Sequence, residues 1–123
     1  MAQENTKEAF NRSVALMKSG ALDEAERMCR SLILEDPRDV NFLSLLGSVL
    51  LRKNQFEEAE KLLRSVIERA PDYPSAQENL GTVLLNMGKS EEALIPLQAA
   101  IELKPNSAST FFKLGGALKN LGR

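Results

Sequence analysis

The chain contains no histidine and a single cysteine, Cys29. Zinc sites and the Ser-His or Cys-His pairs of nucleophilic enzymes are built from histidine or from several cysteines. One cysteine also excludes a disulfide within the chain. We therefore expect no catalytic residue, no metal and no cofactor, and we interpret Cys29 as a small buried apolar residue.

The sequence also lacks an excess of charge of either sign. Its 16 basic and 17 acidic residues give a net charge of −1, so the broad positive field typical of nucleic-acid binding is absent. The polar start, Met1 to Asn5, runs directly into the first repeat, without the long apolar stretch of a signal peptide or a membrane span. We expect a cytoplasmic protein with neither a nucleic-acid nor a membrane partner.

What the sequence does contain is a period of 34 residues. A repeated unit of this length is one supersecondary element that cannot bury its own apolar face and becomes stable when copies stack. The period therefore predicts a stack of helical units. The residues in step are Ala25, Ala59 and Ala93; Pro37, Pro71 and Pro105; Gly20, Asn54, Gly88 and Gly122; and Leu16, Leu50, Leu84 and Leu118.

Each unit reads as a helix, a short turn, a second helix and a longer turn. Glycine or asparagine ends the first helix, and proline follows the second. Asp39 and Ser107 are expected to cap the helices that follow them, Pro74 suits a first turn, and Pro96 should bend its helix. The predicted first helices are 6–18, 40–52, 74–86 and 108–120, and the predicted second helices are 22–34, 56–68 and 90–102.

The pattern Leu46-Gly47, Leu50, Ala59 and Pro71, which recurs one unit later, resembles the tetratricopeptide repeat. The resemblance implies an all-α fold, a right-handed solenoid of antiparallel helix hairpins with about seven helices. It covers nearly the whole chain as a single array, 1–123. The units are about 6–39, 40–73 and 74–107, followed by a partial unit, 108–123.

The partial unit has no second helix to cover Phe111, Leu114 and Leu118. Either the chain is part of a longer array, or this helix serves as a cap. The uncovered face could also drive self-association.

The resemblance further implies that first helices line a concave groove, in which Asn79 resembles the inward asparagines of some glycosyltransferase arrays. We expect a non-catalytic protein–protein interaction module that binds a peptide or a partner domain there. Two alternatives remain open, an N-terminal array that recruits substrates for a larger enzyme, and an oligomerisation scaffold. The candidate groove residues are Lys7, Phe10, Val14, Asn41, Ser44, Ser48, Glu78, Asn79, Thr82, Phe112, Lys113 and Lys119.

Overall fold

The computed structural model describes residues 5–123, whose regular structure is entirely helical. Residues 1–4, which the predicted array includes, lie outside the described part. The elements are α1 (Thr6–Lys18), α2 (Leu22–Glu35), α3 (Val40–Arg52), α4 (Phe56–Arg69), α5 (Pro74–Asn86), α6 (Ser90–Leu103) and α7 (Ala108–Asn120). We call α1, α3, α5 and α7 the first helices and α2, α4 and α6 the second helices.

The predicted bounds of the first helices are confirmed, whereas each second helix runs one residue further than predicted. Proline restricts the residue immediately before it but not the residue before that. Asp36, which precedes Pro37, accordingly leaves the helical region with φ −142° and ψ 88°. Glu35 therefore stays in α2, and the same geometry ends α4 and α6.

The turn inside each hairpin depends on one residue in the left-handed region. The amide of the next residue then returns to a carbonyl of the last helical turn, as when Ala21 donates to Leu16 at 2.9 Å. This closure reverses the chain and makes the helix pair antiparallel. The turn residues are Gly20 (φ 90°), Asn54 (φ 62°) and Gly88 (φ 77°), and Gly122 (φ 74°) has the same conformation after α7.

The starts of the first helices follow the predicted caps. The Asp39 carboxylate accepts hydrogen bonds from the amides of Asn41 and Phe42, at 2.8 and 3.3 Å. The Ser107 hydroxyl accepts one from the amide of Thr110 at 3.3 Å. Pro74 is the first residue of α5. Both caps are confirmed, since each supplies an acceptor to orphan amides of a first turn.

Pro96 lies inside α6, which continues through it from Ser90 to Leu103. The proline therefore does not end the helix, although it has no amide hydrogen to donate. The bend expected there stays a prediction.

In the hairpins α3–α4 and α5–α6, a glycine of the first helix contacts a leucine of the second helix in the core. A Cβ placed on Gly47 would lie 2.8 Å from Cδ2 of Leu63, and one on Gly81 would collide with Leu97. Leu63 and Leu97 are both fully buried. The two helices of a hairpin can approach this closely because the first helix has no side chain at the contact.

The stack is curved, and the first helices lie on its inner side. The backbones of neighbouring first helices lie close together, whereas among the described residues the backbone of a second helix lies close only to the helices that adjoin it in sequence. Elements on the inside of a curved stack lie closer together than those on the outside. The surface formed by α1, α3, α5 and α7 is therefore the concave groove, and α2, α4 and α6 form the outer wall.

We predict that Gly47→Ala destabilises the protein by about 1–3 kcal/mol, because the new methyl group must displace buried Leu63. Urea unfolding followed by far-UV circular dichroism measures the change.

The matched control is Gly116→Ala in α7, where an added Cβ meets nothing within 4 Å. Alanine is the better helix former, so this variant should be more stable than the parent by about 0.5–1 kcal/mol. Equal stability of the two variants would contradict the packing argument.

Candidate binding groove

The predicted groove residues differ widely in how far the structure exposes them. Among the twelve, only those on the surface or at its edge can contact a ligand directly. Lys7, Asn41, Phe112 and Lys119 are exposed. Phe10, Val14, Ser48, Glu78, Asn79, Thr82 and Lys113 are half-buried, and Ser44 is buried.

Ser44 is 3% exposed, so its side chain cannot reach a ligand in the groove. Phe10 and Glu78, which lie 34 residues before and after Ser44, occupy the same position in their helices and explain its burial. The Phe10 ring packs against Phe42 of the next first helix at a centroid distance of 6.0 Å, and Glu78 bonds to Lys113 of the next first helix. This register therefore points along the stack rather than into the groove, and we remove Ser44 from the groove residues.

Phe112 occupies the same register in α7, the last described helix, and is 83% exposed. Its exposure reflects its position at the end of the stack rather than the middle of the groove.

At the centre of the groove, two polar side chains from neighbouring first helices bond to each other. The Asn79 amide donates to the Ser48 hydroxyl at 2.8 Å. The Ser48 hydroxyl in turn donates to the backbone carbonyl of Ser44 at 3.2 Å. The chain of bonds fixes the orientation of the Asn79 amide at the groove surface.

Glu78, the acidic member of the predicted set, is neutralised within the stack. One of its carboxylate oxygens accepts from Ser109 at 2.8 Å and from Lys113 at 3.0 Å. Burial acts to raise the pKa of Glu78, but the hydrogen bonds from Ser109 and Lys113 outweigh it, and the pKa lies below the ordinary 4.5. The carboxylate is ionised at neutral pH and already paired.

Tyr73 belongs to the groove although the sequence did not single it out. Its hydroxyl donates to the side-chain oxygen of Asn41 at 3.0 Å, joining the start of α5 to α3. Tyr73 holds the N-cap position, where Asp39 and Ser107 cap in the other repeats, and it makes no side-chain cap bond. The signal for this role in the sequence is a residue without a capping side chain, at a position where the other repeats have a capping one.

The groove is mildly basic, because its cations lie at the surface while its carboxylate is paired. Lys7, Arg52 and Lys119 are exposed on α1, α3 and α7. The Arg52 guanidinium also donates to the backbone carbonyl of Met17 at 3.2 Å, and this bond joins α3 to α1. These groups can attract a carboxylate of a ligand.

Acidic residues in the first turns of α2 and α4 bind basic side chains of neighbouring repeats. Asp23 pairs with Lys53 at 2.7 Å, and Glu58 with Arg30 at 2.9 Å. The hydrogen bond from Lys53 and its positive charge lower the pKa of Asp23. Carboxylates on the outer wall therefore link the repeats, and they lie away from the groove.

Cys29 is fully buried in α2, and burial raises its pKa to about 11. The thiol stays protonated at neutral pH, so it packs as an apolar group and is a poor nucleophile.

Within residues 5–123, no three His, Cys, Asp or Glu side chains converge as a metal site requires. None of the helices described combines the length and apolar character needed to cross a membrane.

We predict that Glu78→Gln makes the free energy of unfolding less sensitive to a fall in pH. Because the folded pKa of Glu78 lies below 4.5, its carboxylate stabilises the protein above that pH, and the contribution is lost as the pH falls through the folded pKa. Between about pH 5 and pH 3, the free energy of unfolding measured with urea should fall more for the wild type than for Glu78→Gln. The control is Glu68→Gln, on the outer wall, which should follow the wild type. Parallel curves for wild type and Glu78→Gln would disprove the assignment.

Solved structures with this architecture include MamA, at 21% identity and a TM-score of 0.86, over 96% of this chain and 69% of that chain. A mutant of MamA matches at 24% identity and a TM-score of 0.79, over 98% of this chain and 70% of that one. A mutant O-GlcNAc transferase of Thermobaculum terrenum matches at 27% identity and a TM-score of 0.88, over 96% of this chain but 23% of that chain.

Comparison with curated proteins gives no significant sequence match. The family model described as tetratricopeptide repeat matches residues 16–79 and 50–118, in two overlapping segments that span most of the chain. Together with the hairpin stack, this match shows that the chain belongs to the tetratricopeptide repeat family.

Proposed function

We propose that this protein is a non-catalytic interaction module that holds an extended segment of a partner protein in its concave groove. The observation that carries the proposal is the set of polar side chains bonded from one first helix to the next, of which Asn79 with Ser48 is the central pair. Groups already fixed by the fold can bind a ligand without a further ordering cost.

Asn79 is the proposed contact for the ligand backbone. An asparagine side chain carries two N–H donors and a carbonyl oxygen. The bond to Ser48 uses one N–H, and the second N–H and the oxygen match the carbonyl and amide of a peptide unit. Thr82, half-buried one turn further along α5, lies beside this position.

Charge and length indicate what the ligand should be. Lys7, Arg52 and Lys119 favour acidic side chains or a carboxylate. Four first helices at spacings of about 8–10 Å span about 30 Å, enough for about nine extended residues. We propose an acidic, extended peptide segment as the ligand.

The proposal treats residues 1–123 as one array, with units of about 6–39, 40–73 and 74–107 and the partial unit 108–123. It also places the protein in the cytoplasm, where a lone reduced thiol such as Cys29 is ordinary.

A second candidate is a substrate-recruiting array within a larger enzyme. The likeness to the Thermobaculum terrenum transferase favours it. This chain matches 23% of that transferase, so most of the transferase lies outside the matched array. In both proposals the groove binds a protein segment. The proposals differ in whether the array belongs to a protein that also has a catalytic domain.

The test is selection from a displayed library of random peptides of about nine residues, followed by calorimetry on the enriched sequences. Asn79→Ala combined with Lys119→Glu should weaken binding at least about tenfold, the effect of losing about 1.4 kcal/mol. Selected peptides should be rich in Asp and Glu.

The matched control combines Gln98→Ala with Lys61→Glu on the outer wall, where both residues are exposed. It removes one amide and reverses one lysine charge, as the groove variant does, and should bind like wild type. Equal losses in the two variants, or enrichment of no sequence, would refute a groove site.

A further inference from the structure

A cleft lies outside the groove, on the outer wall, between α4 and α6 and above α5. We call it the outer cleft. Its volume is about 260 Å³, and all three helices that form it lie within the array. Residues of α5 form its floor, and residues of α4 and α6 form its two sides. We define the outer cleft by Ile67, Gln77, Leu80, Ile95, Pro96 and Ala99.

The α6 side of the outer cleft departs from the preceding repeat. The positions of Ile95 and Pro96 correspond to Lys61 and Leu62, 34 residues earlier in α4. Proline has a shorter side chain than leucine, so Pro96 leaves space where Leu62 packs against the core. Ile95 is 75% exposed, and it places an apolar side chain beside that space where the preceding repeat has a charged one. These two differences indicate a surface that binds an apolar group.

The floor of the outer cleft carries one polar side chain, Gln77, at the position of Leu43 in the preceding repeat. Gln77 is 7% exposed, and its side-chain nitrogen donates to the backbone carbonyl of Pro71 at 3.0 Å. Within residues 5–123 its side-chain oxygen accepts no hydrogen bond, and no fully buried side-chain oxygen there lacks a partner. The Gln77 oxygen therefore reaches the surface at the cleft, where it is a free acceptor.

This acceptor and the charges of the outer cleft restrict the chemistry of a ligand. An apolar group without a donor would strip water from the Gln77 oxygen and leave it unpaired, which is costly. A charged group would lose its hydration against the apolar sides. The two charged residues that line the cleft, Arg64 and Glu92, pair with each other at 3.8 Å and leave no net charge there. The ligand should therefore be an uncharged apolar group with one hydrogen-bond donor.

The floor also indicates where that donor should lie on the ligand. Gln77 and Leu80 are three residues apart on one face of α5, so an acceptor and an apolar side chain lie next to each other. An indole has its N–H on one edge, beside its benzene ring, and can bond to Gln77 while it covers Leu80. A phenol has its hydroxyl at the tip of the ring, so it cannot do both.

The size of the outer cleft suits a single side chain. Its volume of about 260 Å³ lies below the range of about 300–1,000 Å³ that is usual for small-molecule sites. A second hollow of about 290 Å³ adjoins it and shares Arg64, Ile67 and Leu80 with it. Residues that flank a bound side chain in a peptide can lie in this second hollow.

We propose that the outer cleft binds the indole of a tryptophan in a partner protein, with the indole N–H donating to the Gln77 oxygen. The sides of the ring would pack between Ile67 and Ile95. Residues 1–123 contain no tryptophan, so a second copy of this array cannot supply the indole.

The probe is N-acetyl-L-tryptophanamide, which presents the side chain as it occurs within a chain. Titration of the ¹⁵N-labelled protein, followed by NMR, should give saturable shifts at Ile67, Gln77 and Ile95, with a Kd of about 0.1–1 mM. The amides of Ser48 and Asn79 in the groove should not shift. A blue shift of the indole fluorescence gives a second measurement, because the protein itself contributes no tryptophan signal.

The hydrogen bond is tested by a probe that is methylated on the indole nitrogen. It should bind wild type about fivefold more weakly than the parent probe, the effect of one lost hydrogen bond. Gln77→Leu should bind both probes equally, and it should keep the fold because the preceding repeat has leucine at this position. The matched control is Gln98→Leu, exposed on α6 outside the cleft, which should keep the fivefold difference.

A second variant tests the cleft without altering its floor. Ile95→Lys restores the residue type of the preceding repeat at an exposed position, so the fold should be unchanged. It should weaken binding of the parent probe about fivefold, because an apolar contact is replaced by a charge.

Four results would overturn the proposal. Two are the absence of saturable shifts at the outer cleft and a methylation effect that is equal in wild type and Gln77→Leu. A third is tighter binding of N-acetyl-L-tyrosinamide, which would assign the cleft to a phenol. The fourth is tighter binding of free tryptophan, which would assign it to the amino acid rather than to a partner protein.

Discussion

In the hairpins α3–α4 and α5–α6, the contact between a first-helix glycine and a second-helix leucine determines how closely the two helices approach. At Gly47 there is no room for even one more carbon atom, because Leu63 already fills the position. The close approach lets Leu50 and Leu84 become fully buried in a chain with few aromatic residues. A larger residue at the glycine would separate the helices and expose this leucine layer.

The curvature of the stack affects which side chains can bridge neighbouring repeats. On the inner side, where helices contact one another, short groups such as Ser48 and Asn79 can bond across the boundary. On the outer wall the second helices lie further apart, and long side chains such as Arg30 and Glu58 bridge them. Exposed ion pairs contribute only about 0–1 kcal/mol each, so they follow the curvature rather than set it. Hydroxyl and amide groups therefore collect in the groove, where a peptide backbone can use them.

The helices could be read from the sequence because their ends are marked locally. Asn54 and Gly88 end helices through their own backbone angles, and Asp39 caps through atoms only a few residues away. The burial of Ser44 could not be read in this way, because it depends on how closely the next first helix approaches. Tyr73 was missed for the same reason, since its hydroxyl bonds to a residue 32 positions earlier. Periodicity predicts which helix a residue belongs to, but not which neighbour it contacts.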